Sequence, residues 1–87
     1  MSGEHDAQDQ VEELVAYVAS QLVTKPDEVG VTRADSGDSG DRYELTVGDG
    51  DLGHVIGRQG RTARAIRAVA RAAAAREGRR VHVEIVE

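Results

Sequence analysis

The sequence predicts an α+β fold of two layers, a three-stranded sheet with helices packed on one of its faces. Three observations point to it. The first is length: 87 residues make one domain, and a chain this short removes only about 60–65% of its unfolded surface from water. The second is periodicity, since apolar residues recur at helical spacing in some stretches and alternate in others. The third is the order of those stretches: helix, strand, strand, short helix, glycine loop, long helix, strand.

Residues 1–8 are polar and acidic and are expected to form a disordered tail, leaving 9–87 as the single domain. Asp9 can cap a first helix, with Glu12 three residues on as in a capping box. Val11, Leu14, Val15, Val18, Leu22 and Val23 then form one apolar stripe. Thr24-Lys25-Pro26 ends it, because proline disfavours helical geometry at the residue before it. Val29 and Val31 alternate with Gly30 and Thr32 as a short strand. Residues 35–41 are rich in Asp, Ser and Gly and read as a flexible turn. Tyr43, Leu45 and Val47 alternate with polar residues as a half-buried strand. Gly48-Asp49-Gly50-Asp51 is a turn able to cap a short helix from Leu52 to Ile56. After Gly57-Arg58-Gln59-Gly60 comes an alanine-rich helix from about Arg61 to Arg76, which Gly78 is placed to end. Val81, Val83 and Ile85 alternate with His82 and Glu84 as the last strand. Tyr17 and Tyr43 lie on apolar stripes and are expected in the core.

Composition bounds the function. Of 34 apolar residues 12 are alanine, so the core is thin and has no room for a buried cavity. With no cysteine, disulfides and thiolate metal sites are excluded. No apolar run of about 18 residues exists, and the acidic N-terminus does not read as a secretory signal, so cytoplasmic residence is expected. His5, His54 and His82 are scattered without metal spacing, and Asp and Ser sit in turns, so no catalytic set, metal or cofactor is expected. Gly48-x-Gly50-x-x-Gly53 spells a dinucleotide fingerprint. Two aspartates occupy the turn that would hold pyrophosphate, and the chain is too short for the full unit.

Charge is informative once split by position. Residues 1–53 carry 13 acids and 3 bases, a net of −10, whereas residues 54–87 carry 8 bases and 3 acids, a net of +5. All eight bases are arginines between Arg58 and Arg80. Such asymmetry fits an electropositive face meeting a polyanion. Successive helical residues turn by about 100°. Counted from Arg61, Arg64 falls at ~300°, Arg67 at ~240° and Arg71 at ~280°. On the same count Ile66 falls at ~140°, Val69 at ~80°, Ala70 at ~180° and Ala73 at ~120°. Ile66 and Val69 are therefore expected to face the sheet, with the arginines on the opposite side.

The stretch Val55-Ile56-Gly57-Arg58-Gln59-Gly60-Arg61-Thr62-Ala63-Arg64-Ala65-Ile66 joins two helices through a G-x-x-G turn. Glycine at both ends lets the backbone turn tightly and approach another chain. Amides at the start of the following helix can accept an anion. Arg58 projects from the loop, and Val55, Ile56 and the last strands can floor a groove for unpaired bases.

This run resembles the KH-domain signature, in which a G-x-x-G loop clamps about four nucleotides of single-stranded nucleic acid. The element order α-β-β-α-α-β is similar to the bacterial type II KH arrangement. Together with size and the Pro26-Asp27-Glu28-Val29 turn, it resembles the stand-alone KH proteins of the KhpA family over residues 9–87. The resemblance implies that Gly57 and Gly60 are the loop glycines and that Arg58 and Gln59 are its variable positions facing phosphate. It implies further that Val55 and Ile56 are the apolar pair before the loop. His54 falls where KH proteins often carry a basic residue, and Arg61 and Arg64 add charge. Ala63 departs from the larger aliphatic residue many KH domains have there. The resemblance also implies binding of single-stranded RNA as a post-transcriptional regulator or RNA chaperone linked to cell-envelope growth and division. Self-association and a larger KH-containing partner, KhpB-like, are implied with it, and no small-molecule substrate or membrane. The alternative is a KH fold kept as a protein-interaction and dimerisation scaffold, its arginines meeting an acidic protein surface.

Overall fold

A computed structural model describes residues 9–35, 37 and 40–87, with Asp35 by its backbone alone. The expected tail at 1–8 and residues 36, 38 and 39 of the expected turn lie outside the described residues. The first helix, α1 (Gln10–Ser20), starts as its sequence requires: Asp9 accepts a hydrogen bond from the Glu12 amide at 3.0 Å. It stops sooner than its apolar stripe, at Ser20 instead of Val23. The chain is pulled away there, because Pro26 holds Lys25 out of helical geometry and Asp51 captures the amides of Thr24 and Lys25. A 3-10 turn follows at Pro26–Glu28 and uses the Val29 amide, so the first strand, β1 (Gly30–Asp35), begins one residue later than expected.

Strand β2 (Asp41–Thr46) is the centre of a sheet ordered β1-β2-β3, with β3 at Val81–Ile85. β1 runs antiparallel to β2, with Arg33 opposite Tyr43, and β3 runs parallel to it, with Val83 opposite Tyr43. The parallel pairing needs a crossover, and the two helices supply it: α2 (Leu52–Ile56) and α3 (Arg61–Ala75). Gly78 ends α3 as expected, with φ +69°. Its amide bonds the Ala75 carbonyl and the Arg79 amide bonds that of Ala74, a Schellman closure.

The core lies between the helices and one face of the sheet. Val11, Val15 and Ala19 come from α1 and Val55 from α2. Ala63, Ile66, Ala70 and Ala74 come from α3, and Tyr43, Leu45, Val81, Val83 and Ile85 from the strands. Three expectations fail here. Tyr17, expected in the core, is 63% exposed, Leu22 is 39% exposed, and Val69, expected to face the sheet, is 41% exposed. On α3 the buried ridge is Ala63-Ile66-Ala70-Ala74, and Val69, about 100° round the helix from Ala70, falls beside it. Leu22 lies past the end of α1 at Ser20. The arginine row flanks the buried ridge instead of opposing it.

Candidate nucleic-acid interface

The glycine loop adopts the conformation that its glycines permit. Gly57 has φ +77° and Gly60 φ +75°, with Gln59 between them also left-handed at φ +58°. Gly57 is crowded as well, because a Cβ there would lie 2.2 Å from Thr62 Oγ1 and 2.9 Å from the Thr62 amide nitrogen. Gly60 has only Arg64 Nη1 nearby, at 3.5 Å. The Gly60 amide bonds the Gly57 carbonyl and the Arg61 amide bonds that of Arg58. The amides expected to be open at the helix start are therefore partly used. The amides of Arg58 and Gln59 have no acceptor among the described residues. Both side chains are exposed.

The turn before α2 is held by Asp51, in a role other than the helix cap expected of it. The Asp51 side chain makes no capping bond to α2, although its carbonyl accepts from the His54 amide at 2.9 Å. Its buried carboxylate accepts from the Thr24 amide (3.0 Å), the Thr24 hydroxyl (2.9 Å) and the Lys25 amide (3.0 Å). Lys25 Nζ closes the ring by donating to the Asp49 carbonyl at 2.9 Å. These bonds, led by that of the Thr24 amide, hold the Asp51 carboxyl below the ordinary aspartate value of 3.8 against the opposing effect of burial. The turn before α2 is thereby stapled to the segment that follows α1. A buried aspartate whose partners lie on a distant segment has no local sequence signal.

The arginines divide into two groups. Arg58, Arg61, Arg64, Arg67 and Arg71 form no ion pair among the described residues. Arg64 Nη1 donates to the Gln59 carbonyl at 3.1 Å and braces the loop. Arg67 Nε donates to the Val83 carbonyl at 3.1 Å. Arg79 is committed elsewhere. It binds Asp41 at 2.6 Å, Glu77 at 3.0 Å and the Tyr43 hydroxyl. Burial, which would lower its pKa, is outweighed by those bonds, so it is raised further above the ordinary arginine value. The same cluster holds Asp41 below the ordinary carboxylate value, the Arg79 bond contributing most. Tyr43 also donates to Asp9 at 3.0 Å. Its ring is fully buried, with Arg33 and Arg79 about its faces at 6.0 and 5.8 Å from the centroid, so it offers no stacking surface.

The structure brings His54, Ile56, Gly57 to Gly60, Arg61 and Arg64 to one end of the crossover. His54 is exposed, its Nε2 3.9 Å from Asp51 Oδ1. The expected apolar floor is narrower than two residues. Val55 is fully buried in the core, while Ile56 is half-buried and retains surface. A cradle of two open amides and exposed guanidinium groups beside a modest apolar ledge can hold an anionic chain. Among the described residues it has no cluster fit for a metal ion.

Comparison with known proteins places this arrangement in a family. The KhpA/KhpB KH-domain profile matches residues 12–85. A relative in Halalkalibacterium halodurans, named RNA-binding protein KhpA, is 47% identical over 85% of this chain and 96% of its own length. Relatives of the same name in Clostridium perfringens and Chlamydia trachomatis are 46% and 42% identical, over 87% and 88% of this chain and 100% and 97% of their own. These relatives are named as RNA-binding proteins, not as enzymes, in line with the expectation of a non-catalytic domain. The crystal structure of Aquifex aeolicus Era bound to GDP and aluminium fluoride shares the fold. Its TM-score is 0.62 at 23% identity, over 86% of this chain and 29% of Era. Order of elements, loop geometry and these matches agree, and the chain belongs to the KhpA/KhpB family of KH domains.

Proposed function

We propose that the chain binds single-stranded RNA by clamping its sugar-phosphate backbone at Gly57 to Gly60. The open amides of Arg58 and Gln59 donate to phosphate oxygens, while Arg58, Arg61 and Arg64 add charge. His54 borders the same path, and a neighbouring base rests on Ile56, with Val55 supporting it from behind. The observation that carries this reading is the freedom of the loop arginines: no carboxylate among the described residues neutralises them. The names of the relatives support the ligand class. One domain gripping about four nucleotides binds weakly, so a second copy or a KH-containing partner supplies avidity. The exposed Tyr17 on α1, Leu22 just after it and Val69 on α3 are apolar side chains available for such association. Within the cell the domain acts as a post-transcriptional regulator or RNA chaperone.

The test is the double substitution Arg58→Asp with Gln59→Asp. Both side chains are exposed, so the melting temperature stays within a few degrees while two carboxylates face the phosphates. Each charged hydrogen bond lost is worth about 1.5–3 kcal/mol, so affinity for an unstructured oligonucleotide falls more than about tenfold. Undiminished affinity in the folded double variant removes the clamp.

A further inference from the structure

Arg67 differs from every other arginine of the free row, because its guanidinium is fixed to the sheet. Its Nε–H donates to the carbonyl of Val83 at 3.1 Å, and the side chain is half-buried. Val83 lies at the middle of β3, which pairs with β2 alone and is an edge strand. Asp41 N bonds Arg80 O and Val86 N bonds Leu45 O. In a parallel ladder this register turns the backbone groups of residues 80, 82, 84 and 86 toward β2 and those of Val81, Val83 and Ile85 outward. Arg67 therefore sits against the open edge of the sheet. On the same flank of α3, one turn earlier, Arg64 holds the glycine loop through Gln59. Three residues of helix advance about 4.5 Å, less than the span of one nucleotide, so Arg67 lies within one nucleotide's reach of Arg64 and the loop it braces.

A guanidinium has five N–H donors. One is spent on Val83, and the four on Nη1 and Nη2 have no acceptor among the described residues. With Nε anchored, the plane of the group is set, and its outer edge presents two parallel donors. We propose that Arg67 is a specificity-determining residue that selects, at one position of the bound strand, a base with two adjacent acceptors. Cytosine offers N3 with O2, and guanine offers O6 with N7. Adenine and uracil have no edge with two adjacent acceptors, so one guanidinium N–H of the fork is left facing an N–H or C–H instead of an acceptor. The inference deepens the RNA-clamp reading and rests on it.

The experiment measures affinity for an eight-nucleotide RNA of A and U only, and for the same RNA with a single C or a single G stepped through each position. The wild type is expected to bind its best C- or G-containing RNA about tenfold more tightly than the parent. A gain confined to C names cytosine. A gain with G that vanishes when 7-deazaguanine removes the N7 acceptor names guanine, and either result supports the proposal. Arg67→Lys keeps the charge and loses the planar fork, so the preference falls below about twofold. Arg67→Met serves as a second variant, with both folds checked by thermal melting. Binding by the wild type without preference, or a preference that survives in either folded variant, overturns the role of Arg67 alone. Equal weakening of all RNAs makes Arg67 a phosphate contact and also overturns it. A wild type that binds none of the RNAs overturns this inference and the clamp together.

Discussion

Arg58 and Arg79 carry the same group on the same half of the chain, and their surroundings separate them. Arg79 is bound by Asp41, Glu77 and Tyr43, so its charge is spent on holding β2 to the end of α3. Arg58 has no such partner among the described residues. Asp51 is the counterpart among the acids, a buried carboxylate whose partners are amides and a hydroxyl. Its folded pKa is depressed below 3.8. The stability it contributes is therefore complete above that value and lost as pH falls through the folded pKa. Asp51→Asn is expected to lower the melting temperature at pH 7 and to flatten its decline between pH 5 and about pH 2. Melting curves across that range check both. Because Asp51 staples the turn before α2, the same variant is also expected to weaken RNA binding without touching the loop.

Among the elements, the loop between α2 and α3 is the most constrained by backbone. Its two glycines are not equivalent. Both have positive φ. Gly60 is in the left-handed α region, which costs any other residue roughly 1–2 kcal/mol, whereas Gly57, with ψ 172°, is in an extended region essentially confined to glycine. Only at Gly57 would a side chain strike Thr62. Gly57→Ala is thus expected to destabilise the domain more than Gly60→Ala, and chemical denaturation of the two variants ranks them. Strand β2 depends on a polar contact at its start. Tyr43→Phe deletes the hydroxyl that joins Asp9 to Arg79. The expected loss is about 1–2 kcal/mol, or roughly 4–8 °C of melting temperature per kcal/mol.

For the whole molecule the governing feature is the division of charge, −10 on residues 1–53 against +5 on residues 54–87. Folding draws part of the positive half inward, through Arg79, and leaves the arginines of the loop and α3 open. Binding is expected to weaken steadily with salt. At about −0.7 per phosphate neutralised, a clamp on three or four phosphates gives a slope of log K against log salt between about −2 and −3. Titrations at several salt concentrations measure it. A slope near zero would mean that the arginine face is not engaged and would favour the scaffold reading.

Much of this was legible in the chain as written. The Asp9 cap, the alternation in Tyr43 to Thr46 and Val81 to Ile85, and the Gly78 stop are local signals, set by hydrogen bonds and periodicities within a few residues. So was the glycine loop, because left-handed backbone calls for glycine wherever it occurs. Val69 and Tyr17 were misplaced because the apolar stripe of a helix says how much it can bury, not how closely the sheet lets it approach. Packing across the chain set Arg67 against the Val83 carbonyl, drew Asp51 to Thr24 and committed Arg79 to Asp41. Local order follows from neighbouring residues, whereas the partners of a charge depend on which distant segments the packed core brings beside it.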